Sequence, residues 1–293
     1  MLEKKVKMYK PKCEAIGVVQ ILHGMAEYKE RYEYFINKLN DAGYVVVIHD
    51  HLGHGKLCPK NELGYFKKNR GWKALISEAM EVNVQAKKVY PKLPFYLFAH
   101  SMGSILARSI LKRYDKNYDG VILCGVVNYN SLAPIAYNIC KLNVLLFKDH
   151  HKSKFLDNLF LANYNRKFEG KNAWLSKNEE NVEAYNNDEL CGFSFTNKAY
   201  EDLSFGLMDM NDLVRWKLSN KKLPILLIAG SKDPCIGGKK AFVNSATKLS
   251  EAGYLNVSTK LFKDLRHEIL NEKERDDVIN FIIDYYNSLR VNS

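Results

Sequence analysis

Pro94-Phe95-Tyr96-Leu97-Phe98-Ala99-His100-Ser101-Met102-Gly103-Ser104-Ile105-Leu106 is the stretch on which the reading of this chain turns. Residues 95–99 form an unbroken apolar and aromatic run, the pattern of a strand covered on both faces of a parallel sheet. Ile105, Leu106 and Ile110 then recur at helical spacing. Strand, sharp turn and helix therefore meet at Ser101. A serine held on such an elbow projects its hydroxyl from the sheet, and the next backbone N–H can face a developing oxyanion. Strand and helix cross closely there, so the positions two before and two after must be small, and they are Ala99 and Gly103. The pattern is Ala-x-Ser-x-Gly, one methyl more crowded than the usual Gly-x-Ser-x-Gly. A serine before a glycine is also ordinary loop chemistry, so the elbow gains meaning only if the chain supplies a base and an acid.

Outward from the elbow, the chain alternates strands with helices. Residues 15–22 read as a buried strand, and Tyr32, Phe35, Ile36 and Leu39 as one face of a helix that Gly43 stops before a strand at 44–48. Trp72, Leu75, Ile76, Ala79 and Met80 mark the next helix, and residues 120–127 the strand after the elbow helix. The sheet resumes at 224–229 and again at 257–262, with a helix over 241–249 between them. Val278, Phe281, Ile282, Tyr285, Tyr286 and Leu289 make one apolar stripe on a last helix. This rhythm predicts an α/β fold with a mostly parallel, doubly wound sheet. It breaks only over residues 128–213, where helical patterns such as Leu132, Ile135, Ala136 and Ile139 occur without clear strands. We therefore expect a core of residues 1–127 and 214–293 and a helical cap, or lid, inserted at the sheet edge where open α/β sheets bind ligands.

Composition narrows the classes. At 293 residues the chain is long enough for one α/β domain with an insertion. Its six cysteines (13, 58, 124, 140, 191 and 235) show neither C-x-x-C pairing nor regular spacing, which argues for reduced, mostly buried thiols and a cytoplasmic setting. Lys4, Lys5, Lys7, Lys10 and Lys12 could imitate the start of a signal peptide, but no apolar segment follows them, and nothing approaches the length of a membrane span. The net charge of +11 is spread over scattered lysines without a nucleic-acid-binding motif, which reads as a solvated surface rather than a nucleic-acid site.

Hydrolysis by a serine needs a base to take its proton and an acid to hold that base in the right tautomer, each at a strand end near the elbow. His267 stands after the strand at 257–262 and before the last helix, and Asp233 follows the strand at 224–229. The order Ser101, Asp233, His267 is that of nucleophile, acid and base on successive loops of an α/β-hydrolase. Asp264 is the competing acid, ranked below Asp233, which in turn could be plain turn chemistry before Pro234.

The chain resembles the monoacylglycerol lipase and lysophospholipase group of α/β-hydrolases, also grouped with serine aminopeptidases. The residues that carry the likeness run nearly end to end: His23-Gly24-Met25-Ala26-Glu27 with Arg31-Tyr32, Gly53-His54-Gly55, His100-Ser101-Met102-Gly103, Asp233, and His267-Glu268-Ile269-Leu270 with Glu272. Asp188-Glu189-Leu190-Cys191-Gly192-Phe193 is similar to a bacterial Asp-Pro-Leu-Cys-Gly-Phe pattern, with Glu189 in place of proline. The resemblance implies an oxyanion hole from the backbone N–H groups of Met25 and Met102, a lipid-like ester substrate, and no metal or organic cofactor. Ala99, Ala26 and Tyr28 depart from the family pattern, which bears on the shape of the pocket.

Rival readings stay open at this point. A peptidase or thioesterase could use the same triad, and a non-catalytic receptor could retain the pocket. His49, His51 and His54 look like a metal cluster, yet the Asp-His pair that should follow is missing; hydrogen bonding of the loop is the plainer reading. His23 is expected to brace the oxyanion loop, His100 to point away from Ser101, His150 and His151 to lie on the insertion's surface, and Cys235 to be a buried thiol. Lys141, Lys148, Lys152 and Lys154 in the insertion could meet anionic headgroups at a lipid interface.

Overall fold

The computed structural model describes residues 6–129 and 131–291. Lys4 and Lys5 lie outside the described residues, as does Asn130 within the expected insertion. Among the described residues seven strands form one sheet in the order β1-β3-β2-β4-β5-β6-β7. They are β1 (Val6–Tyr9), β2 (Gly17–Leu22), β3 (Tyr44–His49), β4 (Phe95–His100), β5 (Gly120–Cys124), β6 (Ile225–Gly230) and β7 (Val257–Phe262). Only β1 runs antiparallel, pairing Val6 with His49 and Tyr9 with Val46; every other neighbour is parallel.

Helices cover both faces. Glu33–Asp41 (α1) and Arg275–Val291 (α9) lie on one, while Gly71–Val89 (α2), Met102–Tyr114 (α3) and Lys239–Glu251 (α8) lie on the other. The period of two in the strands divides the core accordingly. Val18, Leu97, Val121 and Leu227 pack with Leu75, Leu106 and Phe242. Val19, Phe98, Ile122 and Leu226 pack with Phe35, Ile36, Val278 and Ile282. Strands buried on both sides need continuous apolar runs, which is why 95–100 reads without polar alternation.

Between β5 and β6 the chain adds four helices, Ala133–Phe147 (α4), Lys154–Asn165 (α5), Glu179–Asn187 (α6) and Asn197–Asp209 (α7). The amide of Asn197 donates to the Asn143 carbonyl at 3.2 Å, and Cys140 lies 3.8 Å from the Ser204 hydroxyl, so α4 and α7 are packed together. No helix among the described residues is long and apolar enough to cross a membrane.

Two differences from the expected elements have physical reasons. The strand expected over 120–127 stops at Cys124, because Gly125 turns to φ 57° and gives way to the loop beneath the imidazole of His267. The strand β1 was not anticipated. It is a four-residue edge strand of mixed exposure carrying Lys7, a composition that also reads as solvated surface.

Candidate active site

The elbow is the point where β4 hands over to α3. Ser101 adopts φ 52°, ψ −116°, a backbone conformation a non-glycine residue rarely holds. The crossing is tight enough that a Cβ on Gly103 would lie 2.3 Å from the Leu22 carbonyl oxygen, so glycine is required two residues after the serine. Ala99, fully buried, is accommodated on the strand side.

Three loops on the same sheet edge converge on this serine. The Ser101 hydroxyl lies 2.8 Å from Nε2 of His267, and Nδ1 of His267 lies 2.9 Å from Oδ2 of Asp233. A carboxylate only accepts, so Nδ1 carries the proton toward Asp233 and leaves the Nε2 lone pair to receive the serine O–H. Asp233 is itself fixed, because its other oxygen accepts the backbone N–H of Cys235 at 2.8 Å. His267 is 2% exposed, and its ring is flanked by the rings of His100 at 4.8 Å and Trp174 at 4.9 Å. The rival acid Asp264 is exposed, and its N–H donates to the Ser231 hydroxyl at 2.8 Å, while Nδ1 of His267 meets Asp233.

Residues 23–28 form the second wall. Met25 sits between two anchored neighbours: the Gly24 N–H donates to Glu27 at 2.6 Å and the Ala26 N–H to Nε2 of His54 at 3.2 Å. Ala26 holds φ 51°. Met102 is the first residue of α3, where helix geometry leaves the N–H pointing out of the helix end. His23 bonds the Gly24 carbonyl through Nδ1 and accepts the His51 N–H on Nε2, which makes it a neutral Nδ1–H tautomer. Burial, with His54 nearby, pushes its pKa down to about 3, and burial likewise holds His51 well below its ordinary value. His49, His51 and Glu78 bring ligand atoms within 4.8 Å of one another, but Nε2 of His51 is committed to the His23 carbonyl and Glu78 accepts the Leu52 N–H.

Behind the serine lies a buried network of charge. Nδ1 of His100 is 3.2 Å from Glu27 Oε1, which also accepts the Tyr32 hydroxyl at 2.9 Å. Arg31 bonds Glu27 at 2.9 Å and grips Glu268 through both terminal nitrogens at 2.7 and 2.8 Å. Asn181, on α6, completes the shell of Glu268 at 2.7 Å. Burial would raise the carboxyl pKa of Glu27, but the hydrogen bond from His100 and the Arg31 charge hold it far below the usual carboxylate range.

The insertion is tied to this edge at several points. Tyr185 donates to the Ala26 carbonyl at 3.1 Å, the Gly192 N–H donates to the same oxygen at 2.9 Å, and the Tyr28 hydroxyl reaches Asp188 at 2.7 Å. Buried Glu272 accepts the Ser176 hydroxyl at 2.7 Å and the backbone N–H groups of Lys177 at 3.0 Å, Asn178 at 3.2 Å and Arg266 at 2.9 Å. Arg266 bonds the Ala173 and Ser176 carbonyls.

Sequence reasoning singled out Ser101, Asp233, His267, Met25 and Met102, and the first three stand in hydrogen-bond contact. His100 makes its hydrogen bond with Glu27 rather than with Ser101, and His150 and His151 are exposed. All six cysteines are free, Cys235 buried beside Asp233. Trp174 and Tyr185 were missed. Glu27, Arg31, Glu268 and Glu272 were noticed only as part of a resemblance, although four charged residues inside otherwise apolar motifs are a signal of buried pairing.

A doubly wound sheet with a left-handed serine elbow and an acid and a histidine on the two following loops defines an α/β-hydrolase. Residues 14–274 match the family described as serine aminopeptidase, S33, and the chain belongs to that family of hydrolases. It is 24% identical over 286 residues to a monoacylglycerol lipase of Mycolicibacterium smegmatis, spanning 95% of this chain and 92% of that protein. It is 25% identical over 269 residues to phospholipase YtpA of Bacillus subtilis, spanning 90% and 92%. A highly thermostable carboxyl esterase from Bacillus coagulans, solved with glycerol, superposes with a TM-score of 0.89 at 26% identity over 97% of this chain and 94% of that one.

Proposed function

We propose that the chain is a serine carboxylic ester hydrolase acting on lipid-like esters, monoacylglycerols or lysophospholipids. The observation that carries the reading is the pair of contacts from the Ser101 hydroxyl through His267 to Asp233, at 2.8 and 2.9 Å. Ser101 attacks the ester carbonyl while His267 takes its proton, and Asp233 stabilises the imidazolium that forms. The N–H groups of Met25 and Met102 receive the charge that develops on the carbonyl oxygen. His267 then protonates the departing alcohol, and water cleaves the acyl-enzyme by the same steps in reverse. No metal or organic cofactor enters this scheme.

Residues 128–213 are proposed as the cap over Ser101. Trp174 against the imidazole and Tyr185 bonded to Ala26 support that role. Leu142, Leu145, Leu146 and Phe147 on α4 and Phe155 on α5 are exposed and stand near Lys141, Lys148, Lys152 and Lys154, which supports transient contact with a lipid interface. The unpaired cysteines support a cytoplasmic enzyme.

A peptidase is the second reading, because the family takes its description from an aminopeptidase and the triad does not choose the acyl group. The deciding experiment is a comparison of glycerol esters and glycerophospholipid esters of graded chain length with p-nitrophenyl esters, thioesters and aminoacyl amides. Lipid-like esters should give the highest kcat/KM, and Ser101→Ala should lower kcat by roughly 10⁴ to 10⁶. Turnover surviving near the wild-type level would refute the assignment. Failure of a fluorophosphonate to label Ser101 would favour a non-catalytic receptor.

A further inference from the structure

A cavity of about 550 Å³ opens between α2, α3, α4 and α7, and none of Ser101, Asp233, His267, Met25 or Met102 lines it. Its charges do not balance. Lys112 is matched to Asp209 at 2.9 Å, Lys198 to Glu201 at 3.0 Å and Arg215 to Asp212 at 3.3 Å. Arg70, Lys73 and Arg113 also line the cavity, are exposed, and have no carboxylate within ion-pair distance among the described residues. The first turn of α2, which bears Lys73, contains no acidic side chain of its own, and the only carboxylate against that helix end among the lining residues is the buried Asp202, at Gly71. Asp202 is the one remaining acid of the lining. It is buried against Gly71 and faces Lys198 at 3.7 Å.

The floor is apolar, with Ile76, Tyr137 and Phe205 all partly exposed and the buried Trp72 behind them. Glu201 also borders a separate, open groove of about 450 Å³ lined by Leu142, Val144 and Leu145. Leu145 is 74% exposed. Unpaired cations over an aromatic floor, with a leucine-lined groove beyond Glu201, match an anionic head joined to one hydrocarbon chain.

We infer that this cleft binds a free single-chain anionic amphiphile, such as a long-chain carboxylate, at a site separate from Ser101. The head is received by Arg70, Lys73 and Arg113, and the chain lies over Phe205 and Tyr137 toward Leu142 and Leu145. Such a carboxylate is chemically the acyl product of the reaction proposed above, but its binding here does not depend on that reaction.

Titration calorimetry with laurate, dodecanol, and vesicles of phosphatidylcholine with or without phosphatidylglycerol tests the inference on the full chain. Laurate should bind, dodecanol should bind about tenfold more weakly or worse, and Lys73→Glu/Arg113→Glu should weaken laurate about tenfold or more with ester turnover and melting temperature unchanged. The milder Lys73→Gln/Arg113→Gln pair should weaken it in the same direction, so that a folding defect in the reversal variant does not hide the result. Laurate affinity unmoved in both variants, or dodecanol binding as tightly as laurate, overturns the site. Charge-dependent binding to phosphatidylglycerol vesicles without binding of monomeric laurate overturns it in favour of a bilayer surface. A protein without esterase activity that still shows the laurate pattern would sink the proposed function and leave this site standing.

Discussion

Glu27 and His100 face each other at 3.2 Å, and the contact joins the loop that carries Met25 to the residue that precedes Ser101. Burial alone would push the imidazole pKa down, but the hydrogen bond and charge of Glu27 outweigh it and raise it above the ordinary 6.5. A raised histidine pKa gives stability that is fully present below about 6.5 and is lost as pH rises through the folded value. Glu27→Gln, which breaks a buried pair, should therefore cost about 3 to 5 kcal/mol near pH 6. The difference in melting temperature between wild type and variant should narrow as pH is raised toward 9. A gap that stayed constant with pH would mean His100 is neutral in the folded protein.

Gly103 tests the crowding of the elbow. A methyl there meets the Leu22 carbonyl oxygen at 2.3 Å, so strand and helix must separate. Gly103→Ala should lose about 1 to 3 kcal/mol of stability in urea unfolding and lose turnover out of proportion, since the separation moves Ser101. Ala99→Gly on the opposite flank should leave turnover nearly intact.

Trp174 is the insertion's contact with His267, 4.9 Å between ring centroids at 40°. Aromatic pairs of this kind contribute about 0.5 to 1.5 kcal/mol, so Trp174→Ala should lower kcat/KM by about 2- to 12-fold, and Trp174→Phe by less. Equal losses for the two variants would assign the effect to the indole itself rather than to an aromatic ring in general.

Glu272 is a buried carboxylate with at least four donors directed at it. Glu272→Gln turns an acceptor toward donors into a donor toward donors, and should cost about 3 kcal/mol. Limited proteolysis should then cut between residues 166 and 178 sooner than in the wild type. Unchanged cleavage there would show that the segment is held by other contacts.

How much of this was legible in the sequence differs by element. Ser101 and Asp233 could be picked out because each follows an apolar run that reads as a buried strand, and His267 because it stands between the strand at 257–262, half-exposed at the sheet edge, and the last helix; strand ends on one edge of a parallel sheet are neighbours. The pairing of Arg31 with Glu268 spans 237 residues, and nothing local in either segment announces it. Trp174 and Tyr185 belong to an insertion whose helices carry a periodic pattern but no indication of which side they turn to the core. The strand at 120–124 was overextended because Val126 and Val127 continue its apolar composition past the glycine that ends it. Composition does not register a change in φ.

Ser101 has φ 52°, and that single angle restricts which residue types could stand in its place. Side chains branched at Cβ are outliers in that region, so threonine, though it offers the same alcohol, is barred by its own backbone preference. Cysteine, unbranched at Cβ, meets no such barrier. The turn thus screens would-be replacements by their shape before their reactivity is ever put to use.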